Sequence, residues 1–194
     1  MMWRILFIGV FCFLSTGTAY AASSVLDAVA AFIAPGGILK RGDISFGDIV
    51  VSTFPTATGD VRLHPDGGID TDIPEFTLIG HENAGHVEYF QDTGDIEIRC
   101  SANALLSNGS DLVRIDEIRI AFPTAAAWAG ASACNGTAGA PAGIYDLSSD
   151  VDATLNIFIG ARLRIDGANP LNNSGTYNSL NAGGTVIEIE VTLI

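Results

Sequence analysis

A single lysine, Lys40, stands in this chain of 194 residues, and nine lysines and arginines in all face 22 aspartates and glutamates. The formal charge of −13 excludes the basic patches that hold nucleic acid or anionic membranes, since both would repel the chain. Beyond Leu14 no apolar run approaches the about 20 residues that a membrane-spanning helix needs. Catalytic signatures are missing too. There is no G-x-S-x-G elbow for a serine nucleophile, and no two histidines sit four apart as a zinc helix requires. The many acids offer no pair that sequence alone can single out for hydrolysis. No internal repeat and no low-complexity tract is present. The expectation is a protein that is not an enzyme and needs no metal or cofactor.

What is present begins with a leader. Arg4 is followed by an apolar run from Ile5 to Leu14, and Ala19-Tyr20-Ala21 forms a small-x-small cleavage site before Ala22. Residues 1–21 therefore read as a secretory signal peptide. Gly9-Val10-Phe11 before Cys12 matches a lipoprotein box poorly, so a lipid anchor is not expected. Cleavage removes Arg4 and leaves 173 residues at −14, enough for one domain with a real core. It also removes Cys12, so that Cys100 and Cys134 remain as an even pair in an oxidising compartment. A structural disulfide is expected. Closing a loop of about 35 residues contributes roughly 3–4 kcal/mol in the chain-entropy model.

The remaining chain is patterned at period two. At the C-terminus Ile187, Ile189, Val191 and Leu193 alternate with Val186, Glu188, Glu190 and Thr192, which predicts a half-buried strand with the first four facing the core. Further strands are expected over 43–51, 60–64, 74–79, 87–90, 95–100, 112–122, 144–147, 153–165 and 176–180. Gly47 inside the first of these predicts a bulge or a close backbone approach. In 112–122 the apolar face switches midway, as a bulge requires. Asn108-Gly109 is a hairpin signal. Residues 123–141, rich in alanine and glycine around Trp128 and Cys134, read as a long loop pinned by the disulfide. Roughly ten short strands with frequent turns define an all-β sandwich or barrel. Residues 24–34 stay ambiguous between a helix ended by Pro35-Gly36-Gly37 and a strand with Leu26, Ala28, Ala30 and Phe32 on one face.

Several clusters invite chemistry, and each has a plainer reading. His81 and His86 lie five apart with Gly85 between them, and His64 is remote in sequence, so a polar interstrand loop is preferred to a metal site. Asp66, Asp70 and Asp72 space oxygen ligands loosely as calcium loops do, but the closing glutamate is missing and turn chemistry suffices. Asn108, Asn135 and Asn172 head glycosylation-like triplets that are equally good turns. Trp128, Tyr89 and Tyr145 are the candidate aromatic platforms for a carbohydrate-binding or adhesive module.

Three motifs give the chain a family resemblance. Residues 44–49 (I-S-F-G-D-I), 75–80 (E-F-T-L-I-G), and 160–165 (G-A-R-L-R-I) with Gly175-Thr176-Tyr177 and the final alternating strand resemble family 4402 of the bacterial domains of unknown function. The likeness spans most of residues 28–194 through short apolar motifs. It departs in a longer link over 166–174, in the cysteine pair and Trp128 loop, and in having no aromatic after Tyr177. The resemblance implies an immunoglobulin-like antiparallel β-sandwich over 38–194, secreted to the periplasm, exterior or cell surface and similar to fimbrial subunits. Residues 22–37 then form a first strand or an extension. As an extension, Leu26, Ala28, Ala30 and Phe32 would add to the open edge of another copy or a related surface subunit by strand exchange. Mass spectrometry of the exported protein should find Ala22 at the N-terminus and Cys100 linked to Cys134. Two alkylatable thiols in unreduced material would refute the pairing.

Overall fold

The computed structural model describes residues 37–90, 94–147, 154–168, 170–183 and 186–194, all within a compact unit that runs from Phe32 to Ile194. The leader, residues 1–21, and the segment carrying Leu26, Ala28, Ala30 and Phe32 lie outside the described residues. Among those described the protein is all-β. Its strands are β1 (Gly37–Gly42), β2 (Ser45–Phe46), β3 (Ile49–Val51), β4 (Gly59–Leu63), β5 (Ile69–Thr71), β6 (Phe76–Leu78), β7 (Glu82–Asn83) and β8 (Gly85–Phe90). They continue as β9 (Asp95–Cys100), β10 (Ala104–Ser107), β11 (Leu112–Ala121), β12 (Ser132–Ala133), β13 (Gly143–Asp146), β14 (Thr154–Ile165) and β15 (Ile189–Leu193). One short 3-10 turn spans Trp128–Gly130.

All pairings are antiparallel, and β14 is their centre. It pairs β11 along one edge, and on the other edge β8 and then β4 lie end to end. With β1 beside β8, β5 beside β4, and β10 and β12 beside β11, this makes an eight-stranded sheet. Alternation explains why β14 sits there. Leu155, Ile157, Ile159, Ala161, Leu163 and Ile165 are all buried on one face, which makes this strand the floor of the core. Gly160 marks the junction between β8 and β4. A Cβ there would lie 2.4 Å from the Leu63 carbonyl oxygen and 2.6 Å from Pro65, so no larger residue fits. The second sheet, β13-β9-β15, lays Ile96 and Ile98 over that floor in a sandwich-like arrangement. The pairs β2–β7 and β3–β6 form two smaller two-stranded sheets.

The disulfide joins these layers. Cys100 ends β9 in the small sheet, Cys134 follows β12 at the margin of the large one, and their Cα atoms are 5.2 Å apart. The Cys134 N–H donates to the Ile118 carbonyl, and Gly136 N–H donates to that of Cys100. The loop over 123–141 is thus pinned as expected, with β12 as a short strand inside it.

The bulge expected in β11 falls between Ile115 and Glu117. It turns Asp116 and Glu117 to the outer face together, opposite Arg162. Arg162 donates through Nε and Nη2 to the two oxygens of Asp116 at 2.7 and 3.1 Å, and its Nη1 lies 3.0 Å from Glu117. Nearby Asp60, whose side chain is 10% exposed, faces Arg62, Arg162 and Arg164 at 3.4 to 3.9 Å. The hydrogen bond that Arg162 donates to Asp116 raises the guanidinium pKa above its ordinary value. This ladder solvates one face of the large sheet and locks its register.

Several expectations change. Residues 43–51 are two strands, because Gly47 takes φ +70° and its missing side chain admits the Gly80 carbonyl. Residues 176–180 form no strand; Asn178 makes a lone bridge to Ser107. The terminal strand starts at Ile189, with Ile187, Ile189 and Val191 only partly buried and Leu193 51% exposed. Leu193 lies opposite the buried Ile96 but on an edge strand, with only β9 beside it among the described residues. An Ile98→Ala substitution, at a fully buried site, should therefore cost about 3–4 kcal/mol in urea unfolding. Ile189→Ala should cost less than half of that, and equal losses would refute the asymmetry.

Candidate interaction groove

The small sheet covers only part of the large one. Along β15 the pairing with β9 uses alternate residues: Ser101 N–H donates to the Glu188 carbonyl, and Ile194 N–H donates to that of Asp95. The N–H and C=O groups of Ile189 and Val191 therefore point away from β9, where no strand pairs them among the described residues. Glu188 and Glu190 alternate with them on the outer face. The result is an open strand edge, apolar inside and acidic outside.

Beside this edge lies a groove of about 970 Å³. Its floor is the inner face of the large sheet, with Val113, Ile115 and Leu163, and one side is formed by residues 42–51. The opposite side carries Ile187, Ile189 and residues 173–179. Val50, Phe54 and Val186 are exposed large apolar side chains on this lining. A smaller hollow of about 530 Å³ separates Ile38 of β1 from residues 188–191 of β15. Polar pairs stand at the margin: Lys40 with Asp43 at 2.9 Å, and His81 with Asp48 at 2.8 Å.

The wall over 173–177 is held by Asp111. Its carboxylate accepts from the backbone N–H of Asn172 and Asn173 at 2.8 and 2.9 Å and from Asn173 Nδ2 at 3.0 Å. The Tyr177 hydroxyl lies 3.1 Å from the same carboxylate and 2.8 Å from the Asn173 carbonyl oxygen. These hydrogen bonds, that from Asn172 first, hold the Asp111 carboxyl below the ordinary aspartate range. Burial, with Asp111 adding to it, pushes the Tyr177 hydroxyl up to about 12. Sequence reasoning missed this residue. An aspartate closing an Asn-Gly hairpin reads as turn chemistry, and its partners lie more than sixty positions away.

The other candidates disperse. Tyr89 is 2% exposed and belongs to the core, so it is no platform. Tyr145 packs edge-on against Phe122, and Trp128 lies under the Arg119 guanidinium, 4.8 Å from the ring centroid. The histidines take separate partners: His64 Nε2 with Asp70, His81 Nδ1 with Asp48, and His86 Nε2 with Asn156. Asp70 and Asp72 pair with Arg62, Asp66 caps its own turn at Gly68, and no cluster that could hold a metal ion occurs among the described residues. Asn108 Oδ1 accepts from Ser110 and Asp111 N–H, which is the turn role expected of it.

Fold and groove together define a disulfide-linked, all-β sandwich in which, among the described residues, the edge of β15 is open beside an apolar groove. No family model, no curated protein and no solved structure matches the chain. No helix among the described residues is long and apolar enough to cross a membrane.

The clasp at Asp111 has a defined pH window. A carboxyl with a depressed folded pKa contributes stability above its unfolded value and loses it as pH falls through the folded one. A raised Tyr177 contributes below the ordinary tyrosine range and loses that as pH rises through about 12. Protection of the Asn172 and Asn173 amides should thus be greatest near neutrality and fall at strongly acid and at strongly alkaline pH. Replacing Asp111 by Asn should bring the Tyr177 ionisation down in an ultraviolet titration; an unchanged midpoint would refute the coupling.

Proposed function

We propose that this protein is a secreted, non-enzymatic structural or cell-surface subunit, similar to fimbrial subunits, which joins copies of itself by strand addition. The observation that carries this reading is the unpaired edge of β15 beside the apolar groove. Residues 23–34 are the proposed donor. They are largely apolar, and Pro35-Gly36 links them to β1, whose Ile38 faces β15 across the smaller hollow. Extended at about 3.3 Å per residue, the segment is long enough to run the length of β15. Its main chain would pair with Ile189 and Val191 of a second copy, while Leu26, Ala28, Ala30 and Phe32 fill the groove. Addition of this kind also removes an edge that invites uncontrolled association.

The disulfide supports an oxidising destination, and the leader pattern supports export. A carbohydrate-binding role would need an exposed aromatic face, and of the three candidates Tyr89 is buried while Trp128 has Arg119 stacked on its ring. Light scattering and electron microscopy of the cleaved chain should show polymers, and a version lacking residues 23–34 should be monomeric. Monomers from both would overturn the reading.

A further inference from the structure

One wall of the groove is fastened by a carboxylate and not by packing. Residues 172–176 are all exposed, whereas Leu171 before them is 9% exposed and Tyr177 after them packs on the core. Between these anchors, the hydrogen bonds that carry 172–176 to a distant part of the chain end on Asp111, while Asn172 Nδ2 to the Pro170 carbonyl and the Tyr177 hydroxyl to the Asn173 carbonyl are local ties. Asp111 itself is rigidly placed. Its N–H donates to Asn108 Oδ1 at 2.8 Å, and its carbonyl accepts from the Ser107 hydroxyl at 2.8 Å, within the hairpin that joins β10 to β11.

We propose that residues 172–176 are a releasable strap, latched by Asp111, whose opening widens the groove and admits the strand that adds to β15. This proposal rests on the strand-addition reading and adds a gate to it. The geometry supports a latch because both ends stay anchored when the middle lets go. Leu171 remains in the core, and Asn178 keeps its two backbone hydrogen bonds to Ser107 at 2.9 and 3.0 Å. Release exposes no buried aliphatic, since the strap's middle buries none. Local openings with few apolar contacts belong to the low-stability end of a fold. The latch also has direct access to the groove, because residues 173–177 line it together with Ile187 and Ile189. An anionic acceptor suits a strap that presents N–H donors, and hydrogen bonds to a charged group are the stronger kind.

The test uses the full cleaved chain with Asp111→Asn, and Tyr177→Phe as a second variant that leaves the carboxylate in place. Readouts are amide exchange at Asn172 and Asn173, fluorescence of anilinonaphthalene sulfonate, and association of a synthetic peptide of residues 23–34. The latch predicts exchange about tenfold faster at both amides in Asp111→Asn, with more dye fluorescence and an unchanged far-ultraviolet spectrum. Peptide association should quicken in the same order, Asp111→Asn above Tyr177→Phe above the parent. Exchange unchanged in both variants would overturn the latch, as would faster exchange with no gain in dye uptake. Faster exchange and greater dye uptake, with all three chains monomeric by light scattering and none binding the peptide, would support the strap and refute strand addition, so the two ideas fail separately.

Discussion

The structure depends on the burial of one strand. β14 is twelve residues long, and each of its inward side chains from Leu155 to Ile165 is removed from water. At roughly 1.5–3 kcal/mol for each large aliphatic, that face contributes more than any other single element. Its position also dictates topology. A strand long enough to pair β8 with its first half and β4 with its second must leave a junction, and Gly160 fills it because only hydrogen fits beneath Pro65. On the outer face the same strand presents Arg162 and Arg164, so one alternation sets both the dry core and the ion-pair ladder.

Much of this was legible in the chain. Period-two alternation located β9, β11 and β14 to within a residue or two, and the face switch in β11 located its bulge. The cysteine pair followed from compartment and parity. What was not legible came from tertiary partners. The close backbone approach expected at Gly47 is present, but its partner, the Gly80 carbonyl thirty-three residues away, and the resulting break into two strands had no local signal. Short strands such as β5, β7 and β12 have no period to read, since two or three residues cannot alternate visibly. Tyr177 lies in a stretch with strand-like composition, yet its hydroxyl is drawn to Asp111 and the backbone leaves the ladder after a single bridge. Leu193 alternates correctly and is still exposed, because alternation reports direction and says nothing of whether a strand covers both edges.

The open edge follows from the unequal sizes of the two sheets. Three strands cannot cover eight, and the smaller pairs β2–β7 and β3–β6 cover another part without meeting β15. Natural sheets usually blunt such an edge with charge, proline or a covering segment. Here Glu188 and Glu190 place charge on the outer side only, while Ile187, Ile189 and Val191 keep the inner side apolar. That combination discourages stacking of faces between molecules without blocking main-chain pairing at the edge.

The contrast between the two walls of the groove carries the last step. The wall over 42–51 is tied by backbone pairing to β6 and β7, and moving it would break two ladders at once. The wall over 173–177 rests on side-chain and backbone donors converging on one carboxylate at the end of a hairpin. Hydrogen bonds exposed to solvent exchange readily with water, so their rupture has a small net cost compared with unpairing a buried strand. A groove built with one fixed and one detachable wall keeps its apolar floor covered at rest. It can still widen without loss of the fold, because the residues that move are not the residues that hold the core.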